Sequence, residues 1–368
     1  MRTFSQLSSR ILRGLSSILG DEAVDFWREQ AGVLSSQNRC LARVYAKTQE
    51  TADTFSFTLE FNELFAGFKA GQHLNVSVNI HEMVYTRSYS FSAHADQPRT
   101  ARITVKRVPG GKVSGHLCDQ VQVGDLLEVG QAFGEMTLED TQALTSEGLL
   151  FLAAGSGVTP FMGLVEELAT QGFPVPATLC FWARTPADLI YDARFEELAN
   201  LNTNFNYVRI VEADANLARG DLLGRPSLVH LNQGCPDWHQ RQVMACGPDG
   251  FMKAIDSLCK GKVAAFHAES FSPMVPVLDD AEVREVEVTL TRSNRIVKVE
   301  SNKPLLKALQ EQGINPKHGC GMGICNTCSC EKVSGTTRNL QNGTACSAGN
   351  AAVRICVNAA QSAVSLDL

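Results

Sequence analysis

Four cysteines near the end of the chain have a spacing that could hold a metal cluster. Cys320, Cys325 and Cys328 form a C-x4-C-x2-C run, and Cys356 follows in the apolar run Ala-Val-Arg-Ile-Cys-Val. This spacing is typical of the thiolates that bind a plant-type [2Fe–2S] cluster. The run around Cys356 looks like a strand, and we predict that it supplies the fourth thiolate. The pattern indicates one-electron transfer.

Other ligand sets are weaker explanations of the same cysteines. Cys330 and Cys346 lie nearby but fit the spacing poorly. A zinc site or a group of buried free thiols is the alternative, although zinc sites typically pair two CxxC or Cys/His knuckles.

Two motifs in the first half of the chain could hold a phosphate and a flat ring. In Arg87-Ser-Tyr-Ser90, Arg87 could clamp a phosphate, Tyr89 could pack on a flavin and Ser90 could meet the polar edge of the ring. The run Gly111-Lys-Val-Ser114 opens a predicted helix, whose N–H groups and Ser114 hydroxyl suit a pyrophosphate. Taken singly, each motif could equally be a surface arginine or a serine helix cap.

Two further motifs follow predicted strands in the middle of the chain. Gly155-Ser-Gly157 lies between a buried strand and a helix, the context of a dinucleotide phosphate loop, and Thr159-Pro160 takes the place of the third glycine. Cys246-Gly247-Pro248 repeats the strand, turn and helix order at a later strand end. Cys246 could approach a nicotinamide, or it could be a small buried hydrophobe.

The elements that must position these motifs fall into distinct segments. Residues 1–37 look helical, and residues 38–142 alternate short β-rich runs with turns, which predicts an antiparallel barrel. Residues 143–272 alternate strands and helices, which predicts an α/β domain with a parallel sheet. Residues 273–284 read as a proline-containing linker. Residues 285–368 combine strands, a helix and the cysteine loop, an α+β pattern.

Composition and charge narrow the function classes. The chain of 368 residues is long enough for two or three domains, and its 12 cysteines, mostly in apolar surroundings, favour a reducing, cytoplasmic compartment. The net charge is −6, and nothing suggests nucleic-acid binding. No window resembles a transmembrane span. The amphipathic stretch around 11–19 is compatible with contact at the inner face of a membrane or with a partner.

Together and in this order, the motifs resemble the ferredoxin–NADP reductase superfamily over residues 38–271. Residues 285–368 resemble a plant-type ferredoxin domain of β-grasp fold, so the expected molecule is a flavin-binding barrel, a nucleotide-binding domain and a [2Fe–2S] domain. The resemblance implies that the following residues bind the flavin and the nicotinamide cofactor: Arg87, Tyr89, Ser90, Gly111, Lys112, Val113, Ser114, Gly155, Gly157, Thr159, Pro160, Gly247 and Pro248.

The resemblance also implies which residues lie at the reacting atoms and which cofactors are used. Ser90, Cys246, Glu269 and Phe271 are expected beside the flavin ring and the nicotinamide. The pyrophosphate motif predicts FAD rather than FMN. Arg184 ends the second α/β strand, where no carboxylate stands to bond a ribose 2′-hydroxyl, and this predicts NADPH as the donor, with NADH as the alternative.

The expected activity is hydride transfer from NAD(P)H to the flavin, followed by single-electron delivery through the cluster to a redox partner protein. The N-terminal extension most resembles reductases of membrane fatty-acyl desaturases, which predicts an iron-dependent membrane desaturase as partner. The alternatives are a soluble aromatic-ring dioxygenase or monooxygenase, a quinone reductase acting alone, and a redox-sensing module.

Overall fold

The computed structural model describes residues 32–81, 83–94, 99–145, 147–213, 220–271, 283–319, 321, 323, 327–340 and 343–368. Most of the predicted helical extension and linker, and the thiols of Cys320 and Cys325, lie outside the described residues. Residues 32–40 form neither helix nor strand. The chain divides into two compact units, of which the first holds the barrel and most of the α/β domain. Within the described ranges, no helix is long and apolar enough to cross a membrane.

Six strands close an antiparallel barrel in the order β1-β2-β5-β4-β3-β6. Alternation along the strands builds its core: Leu74, Val76 and Val78 of one strand are all buried inside. The predicted barrel is confirmed. Its strands, numbered in chain order, are β1 Leu41–Thr51, β2 Thr54–Phe61, β3 His73–Ile80, β4 Met83–His94, β5 Thr100–Lys106 and β6 Leu126–Val129, with helix α1 Lys112–Asp119 after β5.

A six-stranded sheet of order β10-β9-β8-β7-β11-β12 follows in the chain. Strands β7, β8 and β11 are buried at every residue, as expected where helices cover both faces of a parallel sheet. The elements are β7 Leu149–Ala154, α2 Thr159–Thr170, β8 Ala177–Ala183, α3 Asp192–Leu201, β9 Phe205–Val211, β10 Leu222–Leu223, α4 Leu228–Gly234, β11 Gln242–Gly247, α5 Asp249–Cys259 and β12 Ala265–Ser270. The predicted α/β domain is confirmed.

Two contacts join the barrel to the α/β domain inside the first unit. A Cβ placed on Gly163 of α2 would lie 2.8 Å from the carbonyl oxygen of Phe91 on β4, so the helix backbone rests directly on the strand. Tyr191, just before α3, is buried with a left-handed backbone (φ 63°), and its hydroxyl hydrogen-bonds Thr104 of β5. A left-handed tyrosine costs conformational energy, which this buried contact offsets.

The second unit has a five-stranded sheet of order β14-β13-β20-β15-β18 and a three-stranded sheet of order β17-β16-β19. Helix α6 buries Leu305, Leu306 and Leu309 in its core. The predicted α+β pattern is confirmed. The elements are β13 Glu285–Leu290, β14 Arg295–Glu300, α6 Leu305–Glu311, β15 Ser329–Ser334, β16 Thr337–Asn339, β17 Ala345–Cys346, β18 Ala351–Arg354, β19 Asn358–Ala360 and β20 Val364–Leu366.

A buried lysine of the second unit donates hydrogen bonds to three backbone carbonyls in its loops and strands. Lys332 of β15 has no exposed surface, and its ammonium donates to the carbonyls of Gly335 (2.7 Å), Cys346 (2.9 Å) and Ala348 (2.6 Å). Three acceptors satisfy all three ammonium hydrogens, which is what allows a lysine to be buried.

Candidate functional site

The first half of β4 forms an open edge of the barrel. Strand β5 pairs with β4 only from Phe91 onward, whereas β3 pairs with β4 from Met83 to Ser90. Within the described strands, residues 83–90 therefore have a strand neighbour on one side only. A ligand lying along this edge can meet backbone groups and also side chains from both faces of the strand.

Arg87 and Tyr89 share one face of this edge, because side chains alternate along a strand. Arg87 is exposed, and its guanidinium donates to the Thr86 carbonyl at 2.8 Å without a salt bridge to any described residue. Tyr89 is half-buried against the barrel core, and burial raises the pKa of its hydroxyl. The two side chains offer a cation and a neutral hydroxyl, which suits a phosphorylated, aromatic ligand such as FAD.

Tyr85 belongs to the same face, and sequence reasoning missed it. The Lys112 ammonium donates to the Tyr85 hydroxyl at 2.6 Å and lies 4.4 Å from the centre of its ring. This contact joins the edge of β4 to the first residue of α1. The period of two that links Tyr85 to Arg87 and Tyr89 is the signal that could have found it.

The start of α1 is shaped by a glycine. Gly111 is the N-cap, and no side chain caps the first turn. A Cβ at Gly111 would lie 2.5 Å from the Ser114 hydroxyl oxygen and 3.0 Å from the Val108 carbonyl oxygen, so a larger residue would displace the Ser114 side chain and crowd the turn. Ser114 accepts a hydrogen bond from the Val108 N–H at 3.2 Å and is buried, as is Val113. The uncapped N–H groups are suited to an anion.

Ser90 faces away from Tyr89, on the opposite face of β4. It is buried, and its hydroxyl has no hydrogen-bond partner among the described residues. The residue of β3 that is directly opposite Ser90 is His73. Its two ring nitrogens are likewise buried and have no hydrogen-bond partner in the described ranges. Orphaned buried polar atoms are rare in native proteins, so the Ser90 hydroxyl and the His73 ring nitrogens suit a polar group bound beside the open edge.

The predicted phosphate loop lies between β7 and α2. Gly155 to Val158 form a 3₁₀ turn in which Gly155 has φ 53° and open space around its Cα, and Gly157 is buried. The Thr159 hydroxyl donates to the Ser156 carbonyl at 3.0 Å, and Pro160 lies in the first turn of α2. The glycine backbone and helix N-terminus suit a dinucleotide pyrophosphate.

The later strand ends carry the remaining predicted residues. Cys246 and Gly247 end β11 and are buried, and Pro248 precedes α5. Glu269 is on β12, one Oε atom is buried without a partner in the described chain, and burial raises the pKa of its carboxyl to about 7. Phe271 follows β12 and is half-buried.

Arg184 directly follows β8, as predicted. Its side chain is 72% exposed, and its nearest carboxylate, that of Asp188, is 3.8 Å away. Asp188 is already engaged, because its carboxylate accepts the Thr185 hydroxyl (2.9 Å) and the Thr185 N–H (3.2 Å). Arg194, by contrast, is held by Glu166 (2.8 and 2.9 Å) and by a second glutamate on its own helix.

Two of the four predicted cluster ligands are described, and both are buried in the second unit. Cys328 precedes β15 and Cys356 follows β18, and these strands pair side by side. The Ile355 N–H donates to the Cys328 carbonyl at 3.3 Å. One prediction was wrong in detail: Cys356 lies in the turn 355–357, not in a strand, because the Val357 N–H bonds back to the Arg354 carbonyl at 3.2 Å.

The cysteine loop is braced from the same strand pair. The Arg354 guanidinium donates to the carbonyl of Gly323, and Gly321 and Gly323 have φ of 71° and 78°. Glycine adopts positive φ without strain and lets backbone N–H groups approach a cluster sulfur closely. The cysteine spacing and these two glycines fit a [2Fe–2S] cluster, whose other predicted ligands, Cys320 and Cys325, are outside the described residues.

Three family models match the chain in order. The oxidoreductase FAD-binding domain matches residues 41–137, the oxidoreductase NAD-binding domain matches residues 151–257, and the 2Fe-2S iron-sulfur cluster binding domain matches residues 288–359. The expected cofactors are thereby confirmed: FAD, a nicotinamide dinucleotide and a [2Fe–2S] cluster.

Relatives match over most of their length. The chain is 31% identical to the glycine betaine monooxygenase reductase subunit of Pseudomonas aeruginosa, over 84% of this chain and 89% of that protein. It is 28% identical to an NADPH oxidoreductase of Mycobacterium tuberculosis, over 94% of this chain and 88% of that one. The structure of phthalate dioxygenase reductase shares the fold, with a TM-score of 0.56 at 21% identity over 89% of this chain and 97% of that chain. The chain therefore belongs to the family of NAD(P)H-dependent, ferredoxin-reductase-type flavoproteins that carry a C-terminal [2Fe–2S] domain.

Proposed function

We propose that this protein is the reductase component of an oxygenase system, taking a hydride from NADPH and delivering single electrons to a separate oxygenase. The main support is that one chain contains all three cofactor domains. This chain is also 31% identical to a monooxygenase reductase subunit, over 89% of the length of that subunit. FAD supplies the conversion between a two-electron donor and a one-electron carrier, and the cluster supplies the one-electron relay.

The residues predicted to bind the cofactors have binding and orienting roles in this proposal. Arg87 clamps a phosphate and Tyr89 packs on the flavin, while Gly111 and the uncapped start of α1 receive the pyrophosphate. Gly155 to Pro160 receive the dinucleotide pyrophosphate, with Cys246 at the nicotinamide end. Glu269, with its pKa near 7, exchanges protons easily in the physiological range.

Arg184 supports NADPH over NADH. A guanidinium that is largely exposed and only loosely paired can bind a ribose 2′-phosphate through charge-assisted hydrogen bonds without breaking an existing strong salt bridge. No acidic residue directly follows β8 to bond a 2′-hydroxyl instead.

For the partner, we propose an oxygenase in place of the membrane desaturase favoured by the sequence. The desaturase prediction rested on the N-terminal extension, most of which lies outside the described residues. The Pseudomonas relative is a reductase subunit of a monooxygenase by name, and this favours the oxygenase alternative.

Reconstitution tests the partner. The purified chain and NADPH are combined either with candidate iron oxygenase components or with membranes that contain a candidate desaturase, and NADPH-dependent product formation is followed in each. We expect oxygenase turnover. Double-bond formation in the membranes, with no turnover of any oxygenase, would overturn the partner assignment. Absence of cluster bleaching by NADPH would overturn the electron route itself.

A further inference from the structure

Helix α1 is held at its C-terminal end by a lysine of the barrel. The ammonium of Lys47, on β1, donates to three backbone carbonyls, those of Cys118 (2.7 Å), Val121 (2.9 Å) and Leu117 (3.4 Å). Leu117 and Cys118 are among the last four residues of the helix, whose carbonyls have no partner within it. One side chain therefore satisfies both the end of α1 and the turn that follows.

Strand pairing explains how a lysine reaches this place. Lys47 is directly opposite Phe57, a buried residue of the barrel core, and opposite residues share a face of the sheet. A register irregularity between Val44 and Ala46 puts Val44 and Lys47, three residues apart, on that same face. The ammonium lies 5.2 Å from the centre of the Phe55 ring and 5.4 Å from that of Phe57, distances at which an aromatic face attracts a cation.

The opposite end of α1 receives the FAD pyrophosphate in the proposed function, and the present inference rests on that proposal. No side chain caps the first turn, so its N–H groups are available to an anion. The helix has eight residues and is about 12 Å long, too short to be stable without tertiary contacts. The arrangement of those N–H groups therefore depends on the contacts that hold the rest of the helix.

A second contact at the C-terminal end of α1 is weaker. Arg107 of β5 pairs with Asp119 at 2.9 Å, but their side chains are 54% and 47% exposed. Exposed ion pairs contribute little to stability, because water screens both charges. Lys47 differs, since it meets backbone carbonyls of the helix itself and lies over two aromatic rings of the barrel.

We propose that Lys47 is a positioning residue for the FAD pyrophosphate, which acts by holding α1 from the end opposite the cofactor. Its cation lies at the negative end of the helix dipole and favours the helical state of these residues. FAD binds the formed helix better than the frayed one, so a smaller formed fraction lowers the apparent affinity in proportion.

Release of FAD from diluted holoprotein, followed by the fluorescence of the free flavin, measures the dissociation constant. Lys47→Met removes the ammonium and should raise the Kd for FAD at least about fivefold. Arg107→Ala removes a cation from the same end of α1 and should change the Kd by less than about threefold. Lys47→Arg keeps a cation there and should recover most of the loss. If Lys47→Met does not fold, Lys47→Gln decides.

Two further measurements separate positioning from a general loss of stability. In the full-length protein freed of flavin, amide hydrogen exchange over residues 111–121 should be faster in Lys47→Met, and saturating FAD should restore the protection. Riboflavin has no pyrophosphate, so its Kd should be the same in Lys47→Met as in the unaltered protein. Equal weakening of riboflavin and FAD would indicate a packing role and would overturn the inference.

Gly111→Ala tests the pyrophosphate site separately. The added Cβ would displace the Ser114 side chain at the start of α1, so FAD should bind more weakly. An unchanged Kd in this variant would overturn the pyrophosphate site and the role of Lys47 with it. Weaker FAD binding in Gly111→Ala, with an unchanged Kd or unchanged hydrogen exchange in Lys47→Met, would overturn the role of Lys47 alone.

Discussion

At the scale of single residues, the proposed preference for NADPH over NADH depends on how strongly the Arg184 guanidinium is paired within the protein. Arg184 is 3.8 Å from Asp188, a carboxylate that also caps the 3₁₀ turn at Thr185, so little is lost when the arginine turns to a ligand. Arg194 is the useful contrast, because Glu166 holds it with two hydrogen bonds.

Arg184→Ala should lower the ratio of kcat/KM for NADPH to that for NADH by about ten- to a hundredfold, the loss expected when a charge-assisted hydrogen bond of roughly 1.5–3 kcal/mol is removed. The change should appear mainly in the KM for NADPH, measured by steady-state ferricyanide reduction. Arg194→Ala should leave the ratio unchanged. An unaltered ratio in Arg184→Ala would contradict the assignment.

Sequence reasoning located Arg184 but not His73 or Tyr85. The position of Arg184 follows from strand and helix rhythm, which is local information. The pairing of His73 with Ser90 depends on the register between two strands, and the contact of Tyr85 with Lys112 depends on where α1 lies against the barrel. Neither is encoded in the residue pattern of a single segment.

At the scale of elements, the packing of α2 on β4 determines the position of the predicted phosphate loop, residues 155–158. Gly163 permits this packing, because any side chain there meets the Phe91 carbonyl rather than a flexible neighbour. The loop of residues 155–158 leads directly into the same helix, so a shift of α2 is passed to the nucleotide site.

Gly163→Val should destabilise the protein by about 1–3 kcal/mol, the usual range for overpacking, and raise the KM for NADPH. At about 2–4 °C per kcal/mol, the melting temperature should fall by several degrees. Gly115→Ala is the control, because its Cβ would point into open space in α1 and should keep or raise the melting temperature. Equal melting temperatures for the two variants would show that α2 can retreat from β4.

Most helices and strands could be predicted from the sequence, but the residues at which they end and the strands with which they pair could not. The β-rich runs and turns of residues 38–142 correctly predicted the antiparallel barrel. The open edge of β4 arises because β5 pairs with it only from Phe91 onward, with a register irregularity between Phe91 and Ala93, and this pairing is a tertiary feature. Cys356 was predicted to lie in a strand because its neighbours are apolar, whereas the local backbone bond from the Val357 N–H to the Arg354 carbonyl makes it part of a turn.

At the scale of the whole molecule, the chain separates flavin chemistry from cluster chemistry into different stretches of sequence. Cys328 and Cys356 belong to a unit with its own apolar core, built from residues such as Val288, Leu309 and Ile355. Loss of the cluster should therefore spare the FAD-binding and NAD-binding domains.

Cys356→Ser should abolish NADPH-driven reduction of a one-electron protein acceptor such as cytochrome c but retain most ferricyanide reduction, because serine is a poor ligand for the cluster iron. Visible absorption and iron content report cluster loss. Cys330→Ser is the matched control, since this half-buried thiol on β15 is opposite Val353 and outside the ligand spacing. Equal loss of both activities in a flavin-loaded Cys356→Ser would contradict the serial route.

The place of β20 in the second unit determines the order in which that unit folds. Val288 of β13 pairs in parallel with Val364 of β20, so the centre of the sheet closes a loop that contains α6 and every predicted cluster ligand. Pairings so distant in sequence form late, because the entropy of loop closure is lost before the contact forms. A cluster bound between Cys328 and Cys356 shortens the free length of that loop. We therefore expect iron loading to favour the pairing of β20 with β13, so that the second unit of protein made without iron is cleaved faster by a protease than that of the iron-loaded protein.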